Sequence, residues 1–174
     1  CVDGLAGFAN AIREVYPSSL VQRCIVHKVR NSVRFVSDKD KKKVCADLKK
    51  IYSAAGIEEA EMALIAFKEK WDKKYPSISP KWEADWADLM VFMDFGKEIR
   101  RMIYTTNPVE ALHRVIRKVT KSKGAWTNDK ALFKQIYLTL MHNKKSWKRK
   151  AFAWKSIQIE LAEKFGERYL KHLK

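Results

Sequence analysis

The sequence predicts an α/β protein that is mostly helical by content. Three observations lead to this prediction. Residues 1–27 show a strand end, a helix and a second strand, an arrangement that implies parallel strand pairing. The rest of the chain shows apolar residues at helical spacing over long stretches. The hydrophobic share of 47% over 174 residues is enough to build a packed core.

The first helix is predicted from the opening stretch CVDGLAGFANAIREVYP. Leu5, Phe8, Ile12 and Val15 recur at helical spacing before a proline ends the pattern. The stretch LVQRCIVH that follows is short, apolar and rich in β-branched residues, which indicates a buried strand. Because the chain opens on the end of a strand, we expect the N-terminal strands of this sheet to be missing from it.

The next part of the chain predicts several helices. The stretch SDKDKKKVCADLKKIYSA begins with a Ser or Asp cap and places Val44, Leu48 and Ile51 on one face. The stretch GIEEAEMALIAFKEKWDKKYP aligns five residues on one face, namely Ala60, Leu64, Phe67, Trp71 and Tyr75. The stretch KWEADWADLMVFMDF predicts a further helix, and its aromatic residues favour core packing between helices.

Composition narrows the class of protein. The net charge is +16, and a field of this size favours polyanions, with nucleic acid as the first candidate. Residues 1–57 carry +6, residues 58–98 carry −4 and residues 99–174 carry +14, which suggests an acidic module inserted between two parts of a nucleic-acid surface. The alternative is a generally basic protein. We expect no membrane span, no secretory signal and no disulfide framework from three cysteines.

The stretch RRMIYTTNPVEALHRVIRK places one acid, Glu110, among basic residues. Asn107 followed by Pro108 predicts a helix start, with Asn as the cap. At 100° per residue, three cations lie within about 40° of Glu110 around the helix axis, namely Arg114, Arg117 and Lys121. Four apolar residues lie on the opposite side, namely Leu112, Val115, Ile116 and Val119. The helix is therefore predicted to have a buried apolar back and a charged front.

Two interpretations of this face remain open on spacing alone. In the first, Glu110 completes a capping box with Asn107, and the cations behind it make ordinary pairs along the helix. In the second, Glu110 is a metal-binding carboxylate, and the bases beside it hold the phosphates of a nucleic acid.

Four stretches in order resemble a known family. CVDGLAGFANAI, VQRCIVHKVRNSVRFVS, KWDKKYPSI and IYTTNPVEALHRVIRKVTKSKG are similar to the bacterial Mutator-type insertion-sequence transposases, from residue 1 to about residue 170. The resemblance implies a partial RNase H-like (retroviral-integrase-like) core that lacks its N-terminal strands and carries a large all-α insertion. It also implies an Asp-Asp-Glu (DDE) active site that binds two divalent ions, Mg²⁺ or Mn²⁺.

The resemblance assigns roles to particular residues. Asp3, in an Asp-Gly pair, matches the second Asp of the triad, and Glu110 matches its Glu, so both are expected to be catalytic metal ligands. Cys24 and His27 match the Cys-x2-His pair of the family. The first Asp has no counterpart in this chain, which leaves open whether the chain alone is active. Pro108 and His113 stand where the family pattern has Ala and Asn, and both suit a helix start and its flank.

The resemblance also divides the chain into four parts. Residues 1–27 would be the core segment with the second Asp, and residues 28–102 the all-helical insertion. Residues 103–124 would be the core helix with Glu110, and residues 125–174 a C-terminal helical region. The implied function is DNA binding, metal-dependent DNA cleavage and strand transfer in transposition.

Double-stranded DNA, as element ends and target, is the expected partner, bound by a homodimer or higher oligomer. The expected location is the bacterial cytoplasm, in association with the nucleoid. The expected DNA-binding residues are Asn107, Arg114, Arg117, Lys118, Lys121, Lys123, Trp126, Lys144 and Lys145. Trp126 would stack on a displaced base or pack in the core, and the NKKSWKRK run that holds the last two lysines would bind phosphates or be a solvated charge run.

The Cys24 and His27 pair is half of a zinc site. On a strand, residues three apart point to opposite faces, so a structural or substrate-adjacent role is favoured over metal binding. Cys45 and His113 are possible additional ligands. Two rival functions remain: a catalytically inactive DNA-binding remnant of a truncated element, and an RNase H-like nuclease such as a junction resolvase.

Overall fold

The computed structural model describes residues 1–104, 107–144 and 152–173. The chain divides into two compact units, Cys1–Thr106 and Asn107–Lys174. The four-part division expected from the family resemblance stays a prediction. Across the described residues, no helix is long and apolar enough to cross a membrane.

The first unit is built almost entirely from helices. Its α-helices are α1 (Phe8–Val15), α2 (Ile25–Ser32), α3 (Asp38–Tyr52), α4 (Ile57–Trp71), α5 (Ile78–Ala84), α6 (Trp86–Leu89) and α7 (Lys97–Ile103). A 3₁₀ turn covers Val91–Asp94, between α6 and α7. The stretch KWEADWADLMVFMDF therefore forms two helices and a turn, where the sequence predicted one helix.

The predicted α/β fold was wrong, because the described residues contain no sheet. The strand-like pairing among these residues is one isolated parallel bridge, between Val2 and Arg23. The ladder cannot continue past this bridge: Gly4, at φ +87°, turns the chain away on one side, and α2 begins directly after Cys24 on the other. An RNase H-like core with a large insertion is therefore not what this structure shows.

The predicted strand LVQRCIVH is irregular up to Cys24, apart from the bridge at Arg23, and helical from Ile25. Its backbone hydrogen bonds explain why no strand forms. The backbone amides of Arg23 and Ile25 donate to the carbonyls of Asp88 (2.8 Å) and Tyr104 (3.0 Å), which belong to helical segments and not to a neighbouring strand. From Ile25 onward the backbone is helical, because Ile25, Val29 and Val33 then share one face against the core.

Helices α3 and α4 form the centre of this core, as the sequence predicted. Val44, Leu48 and Ile51 of α3 are fully buried, and Phe67 of α4 is 1% exposed. The core extends to Trp82 of α5, which is also fully buried and donates its indole N–H to the hydroxyl of a serine in α2 at 2.9 Å. For α3 and α4, helical spacing of apolar residues thus predicted both the helices and their buried faces. In the first predicted helix it did not predict burial, because Leu5, Phe8 and Val15 are exposed.

A buried carboxylate joins α3 to α4. Asp47 accepts hydrogen bonds from the Nε1 of Trp71 (2.9 Å) and from Lys50 (2.8 Å) and Lys70 (2.7 Å). Burial raises the pKa of Asp47, but the hydrogen bonds from these donors outweigh burial and hold the pKa well below its usual value of 3.8. The carboxylate therefore stays ionised and links α3 to α4 through Lys70 and Trp71.

Arg100 of α7 is also structural. Its guanidinium donates to the backbone carbonyls of Phe95 (2.5 Å), Met93 (2.7 Å) and Ala55 (3.2 Å). These contacts satisfy carbonyls in the turn before α7 and in the connection between α3 and α4. One cation of the stretch that surrounds Glu110 in sequence is thereby committed to folding.

The second unit consists of helices α8 (Asn107–Thr120), α9 (Asp129–His142), α10 (Trp154–Phe165) and α11 (Glu167–Leu170) among the described residues. Helix α8 packs against α9. Asn128 caps α9, because its side-chain oxygen accepts a hydrogen bond from the amide of Ala131 at 2.9 Å. Thr139 and Ile157 are buried, and they mark the interior of this unit.

Candidate functional site

Asp3 lies at the point where the parallel bridge ends. The amide of Val2 donates to the carbonyl of Gln22 (2.8 Å), and the amide of Cys24 donates to the carbonyl of Val2 (2.7 Å). Asp3 follows at once and is exposed, and its Oδ1 accepts a hydrogen bond from the amide of Leu5 at 3.2 Å. The bridge therefore fixes the backbone from which this carboxylate projects.

Asp3 lines a cleft of about 460 Å³ in the first unit. The cleft brings together residues from the bridge, from α2 and the turn after it, and from α5. Its charged side chains are four cations and two acids, namely Arg23, Lys28, Arg34, Lys81, Asp3 and Asp85. The predicted carboxylate thus stands in a cleft with a net positive lining, which is suited to an anionic ligand.

Asp85 forms ion pairs with two of the four cations. Its carboxylate oxygens lie 2.9 Å from Arg23 Nη1 and 2.6 Å from Lys28 Nζ. Lys28 Nζ also donates to the backbone carbonyl of Lys81 at 2.6 Å, and only 12% of the Lys28 side chain is exposed. Burial lowers the pKa of Lys28, against the opposing effect of its hydrogen bond to Asp85.

The neighbouring Asp88 also forms ion pairs with two bases. It pairs with Arg13 of α1 and, at a longer distance of 3.4 Å, with the Nε of Arg23, which also pairs with Asp85. Asp85 and Asp88 therefore connect the acidic part of the chain to the bridge and to α1. Sequence reasoning assigned neither acid a role.

Gln22 is a structural residue of the site that sequence reasoning also missed. It is 3% exposed, and its Nε2 donates to the carbonyls of Arg23 (2.7 Å) and Leu89 (2.8 Å). Its Oε1 accepts the amide of Phe92 at 2.7 Å. A glutamine next to an arginine within a mainly apolar run was the available signal, because a buried polar side chain needs hydrogen-bond partners.

The Cys24 and His27 pair lies at the start of α2. Cys24 is the N-terminal cap residue and is 2% exposed, and His27 is half-buried in the first turn. The strand on which the two side chains were expected to point to opposite faces does not form: Cys24 is the extended cap residue, and His27 is the third residue of α2. Whether the pair has a structural or a ligand role stays a prediction. Cys45 is half-buried in α3 against the main core.

Glu110 lies in the first turn of α8 and is half-buried. The cations that follow it on the predicted front, Arg114 and Arg117, are exposed. The four residues of the predicted apolar back, Leu112, Val115, Ile116 and Val119, are all half-buried. Helix α8 is thus amphipathic in the sense that the sequence predicted, with a basic front available to a ligand.

The other predicted DNA-binding residues fall into three groups. Lys118 and Lys121 are exposed on or next to α8, as are Asn107 and His113. Lys123 and Trp126 contact each other, with the ammonium 4.6 Å from the ring centroid, and Trp126 is half-buried. Lys144 is exposed after α9, whereas Lys145 lies outside the described residues.

Carboxylates are the candidate ligands for a metal ion in this chain. Oxygen donors are what Mg²⁺ and Mn²⁺ prefer, so Asp3 and Glu110 have suitable chemistry. The described residues contain no group of three or more His, Cys, Asp or Glu placed to hold a metal ion. Each carboxylate would therefore contribute one ligand side chain to such a site, and neither unit supplies a full set from its described residues.

Comparison with known proteins gives one family. The sequence profile described as "Transposase, Mutator family" matches residues 1–150. The probable transposase for insertion sequence element ISRM3-like of Sinorhizobium fredii (strain NBRC 101917 / NGR234) is 43% identical over 169 residues, which cover 97% of this chain and 42% of that protein.

Two further relatives agree with this result. The transposase for insertion sequence element ISRM3 of Rhizobium meliloti (strain 1021) is 42% identical over 169 residues, covering 97% of this chain and 42% of that protein. A probable insertion-sequence transposase of Corynebacterium diphtheriae is 33% identical over 193 residues, covering 99% of this chain and 56% of that protein. The chain thus spans about half the length of the curated relatives it matches, or less.

Proposed function

The chain belongs to the Mutator family of transposases, and on that premise we propose that Asp3 and Glu110 are two of the carboxylates with which a transposase cuts and joins DNA. The observation that carries the proposal is the setting of Asp3. An exposed carboxylate projects from a fixed backbone into a cleft with a positive lining, where a phosphodiester and a cation are both favoured.

The two carboxylates have the oxygen donors that a divalent metal ion needs. Asp3 and Glu110 would bind Mg²⁺ or Mn²⁺ through their oxygens, together with ligands from elsewhere. Such ions supply Lewis acidity to a phosphodiester and lower the pKa of a bound water. The task of the protein side chains is to hold the negative backbone of DNA near these carboxylates, and the exposed bases of α8 are suited to it.

The test uses the protein expressed from the whole open reading frame that encodes these 174 residues. Asp3→Asn and Glu110→Gln each remove one charge and keep the size of the side chain. We expect both variants to lose Mg²⁺-dependent cleavage of DNA carrying the element ends, while their affinity for that DNA persists. Asp38→Asn and Glu163→Gln, which change exposed acids elsewhere, are the matched controls and should cleave normally.

Each outcome decides a specific point. Wild-type cleavage by Glu110→Gln or Asp3→Asn would falsify the assignment of that residue. Tight DNA binding by the unmodified protein with no cleavage under Mg²⁺ or Mn²⁺ would instead identify an inactive DNA-binding remnant. Cleavage without strand transfer would point to a nuclease.

The basic front of α8 has its own test. Arg114→Ala combined with Arg117→Ala should weaken duplex binding and flatten the dependence of log K on log salt by about 0.9 for each phosphate that is no longer neutralised. Lys155→Ala combined with Lys171→Ala removes the same charge from exposed positions of the same unit and is the control. Equal slopes for the two double variants would show that α8 does not contact DNA. Fluorescence anisotropy at several salt concentrations provides the measurement.

A further inference from the structure

The cleft beside Asp3 contains two cations that its acids do not neutralise. Arg23 and Lys28 pair with Asp85. Arg34 and Lys81 line the same cleft, and within the described part of the chain neither takes part in an ion pair. A phosphate entering the cleft would therefore meet two cations without first displacing an internal carboxylate.

An exposed aromatic ring lies next to one of these cations. Phe35 lines the cleft and is 81% exposed, although its neighbours Val33 and Val36 are buried in the core and hold the backbone on both sides. The guanidinium of Arg34 lies over the Phe35 ring, 5.3 Å from its centroid. The cation thus covers part of one face of the ring, and the exposed remainder is a flat apolar surface that is fixed at its base and open to solvent.

These features match the chemistry that recognises single-stranded nucleic acid. Proteins bind unpaired strands with aromatic rings on which bases stack and with cations that follow the phosphates. A duplex cannot use such a ring, because its bases are already stacked on one another. The cleft volume of about 460 Å³ lies in the range of small-ligand sites, which is about 300–1,000 Å³, and so admits a unit the size of a nucleotide.

We propose that this cleft binds an unpaired nucleotide of the DNA strand next to Asp3, with its base stacked on Phe35 and its phosphates contacted by Arg34 and Lys81. The inference rests on the proposed function, because it takes DNA as the substrate. It adds a binding role for the turn after α2 and for α5, and it gives the protein a means of holding a strand open beside the carboxylate.

The experiment measures binding of a fluorescein-labelled oligodeoxythymidine of about eight nucleotides, a length within the range of known single-strand sites, and of a duplex of equal length. Phe35→Ala should weaken single-strand binding about 5- to 150-fold, as expected when one base loses its stacking partner, and leave duplex binding unchanged. Phe35→Trp should restore single-strand binding. Phe133→Ala, which removes another ring that is 67% exposed, is the matched control and should change neither affinity.

The cations are tested separately through salt dependence. Arg34→Ala and Lys81→Ala should each flatten the single-strand salt slope by about 0.7, the value for one phosphate on a single strand. Competition with poly-glutamate tests the chemical class of the ligand. Equal competition by poly-glutamate and by the oligonucleotide would overturn the inference in favour of an acidic polypeptide.

The two proposals fail in different ways. Unchanged single-strand binding in Phe35→Ala, together with loss of cleavage in Asp3→Asn, would overturn the nucleotide site and leave the proposed function standing. Wild-type cleavage by Asp3→Asn, with single-strand binding still dependent on Phe35, would do the reverse. The Phe35 variants should keep the wild-type circular dichroism and thermal transition, because the ring contributes little to the core.

Discussion

Removal of the Asp85 carboxylate tests the link between the acidic part of the chain and the candidate site. Asp85 accepts from Arg23 Nη1 (2.9 Å) and Lys28 Nζ (2.6 Å), and its side chain is 24% exposed. Breaking a fully buried ion pair costs about 3–5 kcal/mol, and losing an exposed pair costs about 0–1 kcal/mol. Because Lys28 is 12% exposed but keeps a carbonyl acceptor, we expect Asp85→Ala to destabilise the first unit by about 2 kcal/mol.

Hydrogen exchange of the amides in α3 and α4 provides the assay, since these helices form the core of the first unit and report on it alone. A decrease of about 2 kcal/mol in stability corresponds to a fall of about 30-fold in their protection. Asp38→Ala is the control, because that side chain is 98% exposed and pairs with Lys41 only at 3.3 Å. It should change protection by less than about fivefold, as for a surface pair worth up to about 1 kcal/mol.

A double-mutant cycle shows whether the unpaired ammonium is the cause. Lys28→Met in the Asp85→Ala background removes a largely buried positive charge that has lost its carboxylate, so the double variant should be more stable than Asp85→Ala alone. Additive effects of the two substitutions, or equal protection in Asp85→Ala and Asp38→Ala, would show that the Lys28 ammonium is not the cause of the instability. The same Asp85→Ala variant should bind oligodeoxythymidine more tightly, because the cleft loses one of its two acids while it keeps its four cations.

Two further perturbations test how carboxylates stabilise the first unit. Asp47→Ala leaves the buried indole N–H of Trp71 without its acceptor and should cost about 2–3 kcal/mol, measured by the same hydrogen exchange; a change no larger than in Asp38→Ala would contradict it. Hydrogen bonds from Lys74 and Tyr75 lower the pKa of Asp40 well below 3.8, so its stabilising contribution is fully present above about pH 4 and is lost as the pH falls. Asp40→Asn should therefore be less stable than wild type at neutral pH and should lose less stability on acidification, as followed by circular dichroism from neutral to acid pH.

The sequence predicted those parts of the fold in which one periodicity is sustained. Val44, Leu48 and Ile51 keep the helical period over several turns of α3, and a strand cannot bury all three on one side. A short apolar run carries no such information. LVQRCIVH fits a buried strand, but Ile25 is also the first residue of a helical face that only the following residues reveal.

The break in KWEADWADLMVFMDF has a tertiary cause. Asp85 falls between α5 and α6, where its carboxylate pairs with Arg23 and Lys28. Its backbone carbonyl accepts the amides of Asp88 and Leu89. Local propensity favours one continuous helix here, and contacts with residues some 60 positions earlier in sequence decide otherwise.

The sequence pointed to individual candidate residues but not to the way in which the fold groups them. The Asp-Gly pair made Asp3 a candidate through the family resemblance, and helical spacing predicted the basic front of α8. The cleft was not predictable, because it joins Asp3 to the turn around Phe35 and to Lys81, and no local pattern relates these positions. Phe35 itself gave no signal, since one phenylalanine in an apolar stretch is usually part of a core.

The acidic block has a physical role that its net charge alone does not indicate. Two of its acids pair with bases outside the block, Asp88 with Arg13 and Asp85 with Arg23 and Lys28. Asp85 thus neutralises Arg23 and Lys28, while Arg34 and Lys81 line the same cleft without an ion pair among the described residues. Under the proposed function, a DNA phosphate in the cleft would therefore meet the charges of Arg34 and Lys81, because those of Arg23 and Lys28 are already paired.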